Sequence, residues 1–289
     1  MWWHAVRAFG HHRAMSLARD LLVDLHRAFE GQAVPRVKAL HLPPVPWNGR
    51  KDGEFGALEL DSGALGLSYL LLDDAMAQVG SQAAALPGAD ALALAERWAD
   101  PAASPAQAAL GFAAVNALTR ELFDRAGFVP PAATDSIGGL APQPGETIGM
   151  VGFFPPLVKQ VTAHGARLVV LELREDLVGT HPGFSVTLDA QALAGCSQVM
   201  CTSTVLLNHT LDRVLDACRG AQRLVLLGPG AGCLPDTLFA RGVTALAGSW
   251  ISDNAAFIEA LATSAPWSHA ARKTVLERDR WPGLAALQR

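Results

Sequence analysis

From residue 147 onward, apolar positions come in short runs separated by helical stripes. Ile148 to Val151 is too short for a helix and suits a fully buried strand. Gly152 permits a sharp turn, and Pro155 and Pro156 pre-set a first helical turn that lacks donors anyway. Leu157, Val158 and Val161 give that helix its stripe, and Gly165 fits a left-handed stop. Arg167 to Leu171 reads as the second strand, with Glu172 at its carboxyl end, 20 positions after Gly152. Gln198–Thr202, Arg223–Leu227 and Val243–Ala247 read as strands three to five. Helices are expected near Leu188–Ala194, after Thr202-Ser203-Thr204, over Pro235–Ala240, and from a Ser252 or Asp253 cap through Ala262. Arg174 to Ser185 reads as irregular, and Ser268 to Arg278 as a last helix. This alternation predicts a mainly parallel five-stranded sheet with helices on both faces.

The first half has a different rhythm. Leu17, Leu21, Leu25 and Phe29 recur every four residues, so residues 4–30 read as a helix stopped by Gly31. Arg36 to Leu42 reads as a short strand. Two further β-like runs, Glu54–Leu60 and Ala64–Leu71, flank Asp61-Ser62-Gly63 and predict a hairpin. Helical patterns follow over Asp73–Val79, Ala89–Ala99 and Ser104–Arg125. In the last, Ser104 is the N-cap, Pro105 fits the first position and Gln107 completes a capping box. Strands followed by helices make this half α+β. Phe128 to Glu146 is rich in Pro and Gly and has little periodicity, so it reads as a linker. The expected division is 1–135 and 136–289.

Composition narrows the partners. The chain has 289 residues, 50% of them apolar, enough for one large or two ordinary cores. Its net charge of −4, with mixed signs throughout, lacks the basic stripe of a nucleic-acid binder. No run reaches the roughly 18 apolar residues of a membrane span, and the first residues hold no unbroken signal-type run. Cys196, Cys201, Cys218 and Cys233 form no CxxC pair and read as reduced, mostly buried thiols, so a cytoplasmic setting is expected.

In an open parallel sheet, ligands bind beyond the carboxyl ends of strands, where strand order reverses. Gly152, Glu172, Thr202–Thr204 and Gly228 fall at such ends. The three hydroxyls of Thr202, Ser203 and Thr204 can cap a helix, or cap it and hold an anionic group. Gly149-Met150-Val151-Gly152 followed by Phe153 and Phe154 is not a dinucleotide fingerprint, so tight NAD binding is not expected and no cofactor is assigned. Glu172 can accept from a ribose, act as a general base or pair with Arg174. Cys196, Cys201 and His209 can be drawn as a soft-metal set, but their spacing matches no standard zinc pattern. His4, His11 and His12 read as a solvated N-terminus rather than a metal set.

The ordered segments IGMVGFFPPLV, VVLELRED, CTSTVLLNHTLDRVL, LLGPG and GVTALAGSWISD resemble the putative heavy-metal chelation domain family. The resemblance covers residues 147 to about 262 well and reaches more loosely into the first half through GALGLSYLL and AAVNALTREL. It implies a Rossmann-like C-terminal domain behind an enolase-N-terminal-like one, with a ligand cleft between them. Ser68, Tyr69 and Asn116 would line the cleft from the first domain. Gly152, Phe153, Glu172, Thr202, Ser203, Thr204, Asn208 and Asp253 would line it from the second, beside Gly228, which the strand ends already single out. The function so implied is binding or turnover of a small-molecule ligand or metal chelate, with Glu172 as the candidate catalytic group. Direct metal sequestration, with metal ligands unassigned, and a nucleotide- or SAM-dependent enzyme are the alternatives. A homo-oligomer is compatible with all three.

Overall fold

A computed structural model describes residues 16–47, 49, 51–71 and 75–288. His4, His11, His12, the start of the first helix and Asp73 lie outside the described residues. The first half opens with helix α1 (Ser16–Ala28), whose Leu17, Leu21 and Leu25 are buried as their spacing predicts. Strands β1 (Val37–His41), β2 (Phe55–Leu60) and β3 (Leu65–Tyr69) form an antiparallel sheet in that order. Helices α2 (Ala75–Gln82) and α3 (Ala91–Ala95) lead to the long α4 (Pro105–Arg125). Its capping box is complete: the Gln107 N–H donates to Ser104 Oγ, and the Ser104 N–H donates to Gln107 Oε1.

Helix α4 lies on β3 with almost no space between the backbones. A Cβ added to Gly66 would come within 2.1 Å of the Ala117 nitrogen and 2.2 Å of the Ala113 oxygen. Only glycine permits that approach. The same helix meets residue 98 through Gly111, where an added Cβ would be 2.4 Å from the Trp98 nitrogen.

The second half is one sheet of eight strands rather than the expected five. It comprises β4 (Thr147–Val151), β5 (Arg167–Leu171), β6 (Gly179–His181), β7 (Phe184–Thr187), β8 (Gln198–Thr202), β9 (Arg223–Leu227), β10 (Ala245–Ile251) and β11 (Ala271–Glu277). Spatial order is β11-β10-β9-β8-β4-β5-β7-β6. The six inner strands are parallel, and β11 and β6 run antiparallel at the edges. The extra strands come from two stretches read otherwise. The irregular Arg174–Ser185 folds into β6 and the start of β7, turning at Gly183 with φ +82°. The expected last helix is β11, whose Thr274 and Leu276 are buried while Lys273, Val275 and Glu277 between and beside them are not. That is strand alternation, and the partner strand β10 overrides any helical preference.

The helices of this half are α5 (Pro155–Thr162), α6 (Thr204–Leu207), α7 (Leu211–Ala217), α8 (Asp236–Ala240), α9 (Asn254–Ala262) and α10 (Leu284–Leu287). The segment expected as a linker is bound to the large sheet. The Val275 N–H donates to the Pro131 carbonyl and the Ala133 N–H to that of Lys273, while Ile137 and Leu140 are buried in the core. The expected division at 135/136 falls inside this bound segment.

Two cores cover the large sheet. One holds Ile148, Met150, Leu168, Val170 and Met200 under α5, Ile137 and Leu140. The other joins Val199, Cys201, Leu224 and Leu226 to Leu21, Trp98, Phe112 and Leu118 of the first half without a break. A third cluster sets Ala57, Leu65 and Leu67 of the small sheet against Phe257, Leu261 and Trp267. The small sheet is therefore covered on one face by its own α4 and on the other by the second half.

Candidate functional site

The chain leaves β4 toward β5 and β7 on one side, then returns to β8, β9 and β10 on the other. Strand order thus reverses between β4 and β8, whose carboxyl ends are Gly152 and Thr202. Gly152 takes φ +86°, and an added Cβ would lie 3.3 Å from Thr202 Cγ2 and from the Phe154 ring. The turn is held by Glu172, whose Oε2 accepts from the Phe153 N–H at 2.9 Å and Oε1 from the Leu173 N–H at 2.7 Å. Both oxygens are thereby engaged by backbone donors, and Arg174 pairs instead with Asp176. Thr202 Oγ1 donates to Thr204 Oγ1 at 3.0 Å and accepts from the Thr204 N–H at 3.3 Å. The Phe153 ring stands 6.0 Å from that of Phe184, which stacks on His181 at 4.5 Å. Rings occupy the place where a phosphate loop would present free N–H groups.

From the first half, Tyr69 lies within the electrostatic reach of Glu172. Burial pushes its phenol up to about 12, and the charges of Glu54 and Glu172 add to the shift. Its neighbour Ser68 is buried, and its hydroxyl has no hydrogen-bond partner.

Further along the seam between the halves, the loop Gly228–Gly232 packs against Ser203 on one side and α4 on the other. A Cβ on Gly228 would lie 2.8 Å from Ser203 Oγ, and one on Gly232 would lie 3.8 Å from Asn116 Oδ1. Asn116 ties both halves together: its Nδ2 donates to the Leu67 carbonyl at 2.7 Å and to the Gly230 carbonyl at 3.2 Å. Beside it is a cavity of ≈ 50 Å³ between α4 and strands β10 and β11, lined by Asn116, Arg120, Gly232, Trp250 and Thr274 among others. The Arg120 guanidinium lies over the Trp250 ring at 3.7 Å and donates to the Ile251 carbonyl at 2.9 Å. Reading the sequence missed Arg120 and Trp250. A signal was available for Arg120, because Asn116, Arg120 and Asp124 recur every four residues and make a polar stripe along one side of the helix.

The remaining expected residues serve local structure. Asn208 Oδ1 accepts from the Thr210 hydroxyl at 2.6 Å, and Asp253 caps α9 by accepting from the Ala256 N–H at 3.0 Å. Four buried thiols lie in the second half. Burial raises Cys196 to about 11, Cys218 and Cys233 to about 12, and Cys201 well above its ordinary value, so all are neutral and unreactive. Burial lowers His209 to about 4, and its ring stacks on Trp98. Among the described residues, no group of three or more His, Cys, Asp or Glu side chains could hold a metal ion. Nor is any described helix long and apolar enough to cross a membrane.

Comparison with known proteins bears on both halves. Residues 138–278 match the family DUF364, described as "Putative heavy-metal chelation". A DUF364 protein of unknown function from Desulfitobacterium hafniense shares 20% identity, with a TM-score of 0.65 over 90% of this chain and 98% of its own. A second, from Pyrococcus horikoshii and also of unknown function, shares 20% identity with a TM-score of 0.64 over 89% of this chain and 99% of its own. These likenesses show a shared fold through both halves. No curated protein matches the chain.

Proposed function

We propose, from the match of residues 138–278 to the DUF364 family of putative heavy-metal chelation, that this chain binds a small metal chelator or its metal complex at the crest between β4 and β8. One observation carries the reading. Tyr69 of the first half sits in the field of Glu172 of the second, at the point where strand order reverses. A phenol within electrostatic reach of two carboxylates adds oxygen acceptors and one donor to the site, which suits a polar ligand carrying positive charge or hydroxyl groups. Phe153 and Phe184 supply an apolar wall for a flat part of the ligand. Glu172 fixes the turn under the ligand through its backbone contacts, so its role here is positioning.

Tyr69 is the only tyrosine, so phenolate absorbance reads this site without interference. Zinc, histamine (a cationic chelator with a flat ring) and zinc histamine are the probes. The expected result is a saturable calorimetric signal for the complex or the chelator, a moved Tyr69 midpoint, and weaker binding by Tyr69→Phe. Flat heats with all three probes and an unmoved midpoint would sink the reading.

A further inference from the structure

Asn116 is 4% exposed, and the identity of its two polar atoms is settled by its partners. Both bonded groups, Leu67 O and Gly230 O, are carbonyl oxygens, so the atom facing them must be the NH2. The other atom, Oδ1, is therefore an acceptor. It is buried and has no hydrogen-bond partner, and the side chain lines the ≈ 50 Å³ cavity. A buried acceptor without a donor costs free energy comparable to a lost hydrogen bond. A space of this size accommodates about three or four water-sized groups.

We propose that this cavity is a second binding site, taking an uncharged N–H- or O–H-bearing group of about three or four heavy atoms, such as a primary amide or small alcohol, with Asn116 Oδ1 as its acceptor. The walls suit a neutral donor best. An anion would bring no donor to Asn116 Oδ1, and the Arg120 charge that could hold it is already matched by Asp124. A cation would meet the Arg120 guanidinium, already held by both oxygens of Asp124 and by the Ile251 carbonyl. Thr274 and Ser249 line the same space and can donate or accept. Pro229, Leu67 and Leu246 supply its apolar part. The loop Gly228–Gly232 stands between this site and Ser203, so the site does not depend on what binds at the crest.

Gly232 provides a clean test. An added Cβ meets nothing closer than 3.8 Å, at the Asn116 carboxamide, and the residue is not among those with positive φ. Gly232→Ala therefore keeps the fold while narrowing the approach to Oδ1. The probes are acetamide, with acetone as its counterpart without a donor, and acetate as the charged one. Binding is followed by the Asn116 side-chain NH2 and Trp250 indole resonances and by the melting temperature. Acetamide is expected to shift both resonances saturably, acetone and acetate to do so at least about tenfold more weakly, and Gly232→Ala to lose the acetamide response with its melting temperature unchanged. No response to acetamide at decimolar concentration, equal responses to acetone, or an undiminished response in Gly232→Ala would overturn the proposal. A Gly232→Ala variant that fails to fold is replaced by Thr274→Val, which removes a lining hydroxyl, and the same three-probe comparison decides.

Discussion

The two faces of the large sheet are closed in different ways. One is covered entirely by residues from 137 onward, including α5 and the bound segment before β4. The other is completed by the first half, through Trp98, Phe112 and Leu118. The first face could belong to any α/β domain, whereas the second is finished only when residues 16–125 are in place. The first half in turn needs α9 to cover its small sheet. The seam is consequently a packed core with a small cavity in it, lined from both halves. A ligand there meets side chains pre-positioned by both halves.

The severest way to break this comparison is Gly66→Ala. Its new Cβ would collide with backbone atoms of α4, which cannot rotate away. A loss of more than about 4 kcal/mol is expected by urea denaturation, in the exceptional range for one substitution. Near-native stability would mean that α4 is free to lift off β3. Next is Trp98→Ala. Trp98 is fully buried, packs on Phe112 at 5.0 Å and donates Nε1–H to the Leu206 carbonyl at 3.0 Å. About 3–5 kcal/mol should be lost, in one transition seen equally by probes in either half. Two separated transitions would show that the halves fold independently after all.

Subtler substitutions sharpen the picture at the crest and the small sheet. Glu172→Gln removes one of the charges that, after burial, hold the Tyr69 phenol up at about 12, so its midpoint should fall. An unchanged midpoint in the absorbance titration would separate the two residues electrostatically. The smallest effect concerns Glu59, which Lys38 and His41 contact at 2.7 and 2.8 Å. Burial pushes its carboxyl up, but the hydrogen bonds and charges of those two partners outweigh this and leave it below 4.5. A depressed carboxylate stabilises the fold above its unfolded pKa and loses that contribution as pH falls through the folded one. Glu59→Gln should therefore flatten the acid limb of stability below 4.5, read by urea denaturation across pH.

Elements with local signatures were legible in the sequence. Ser104, Pro105 and Gln107 mark the start of α4 because capping depends on three neighbouring residues. The hairpin at Gly63 and the turn at Gly152 were equally plain, since both demand positive φ. Strand β11 was not, because its state is set by β10, some twenty residues away in sequence. The same division runs through the site. Gly152 and Thr202 could be placed because strand ends can be placed. That Glu172 spends its oxygens on backbone N–H groups, and that Asn116 keeps an acceptor in reserve, depends on chain segments far apart in sequence. Arg120 was passed over because it belongs to the charged end of α4, with Glu121, Asp124 and Arg125, and such charges ordinarily face water.

The segment before β4 also decides how copies of the chain could meet. At one margin of the large sheet, β11 is occupied on its outer side by Ala132 and Ala133, so that flank offers little to a neighbour. At the opposite margin, β6 has β7 on one side and, among the described residues, no strand on the other. Among the described residues, the large sheet thus has a single open margin. Two copies joined there about a two-fold axis would each use up their open strand, and growth would stop at a pair instead of running on into a fibre.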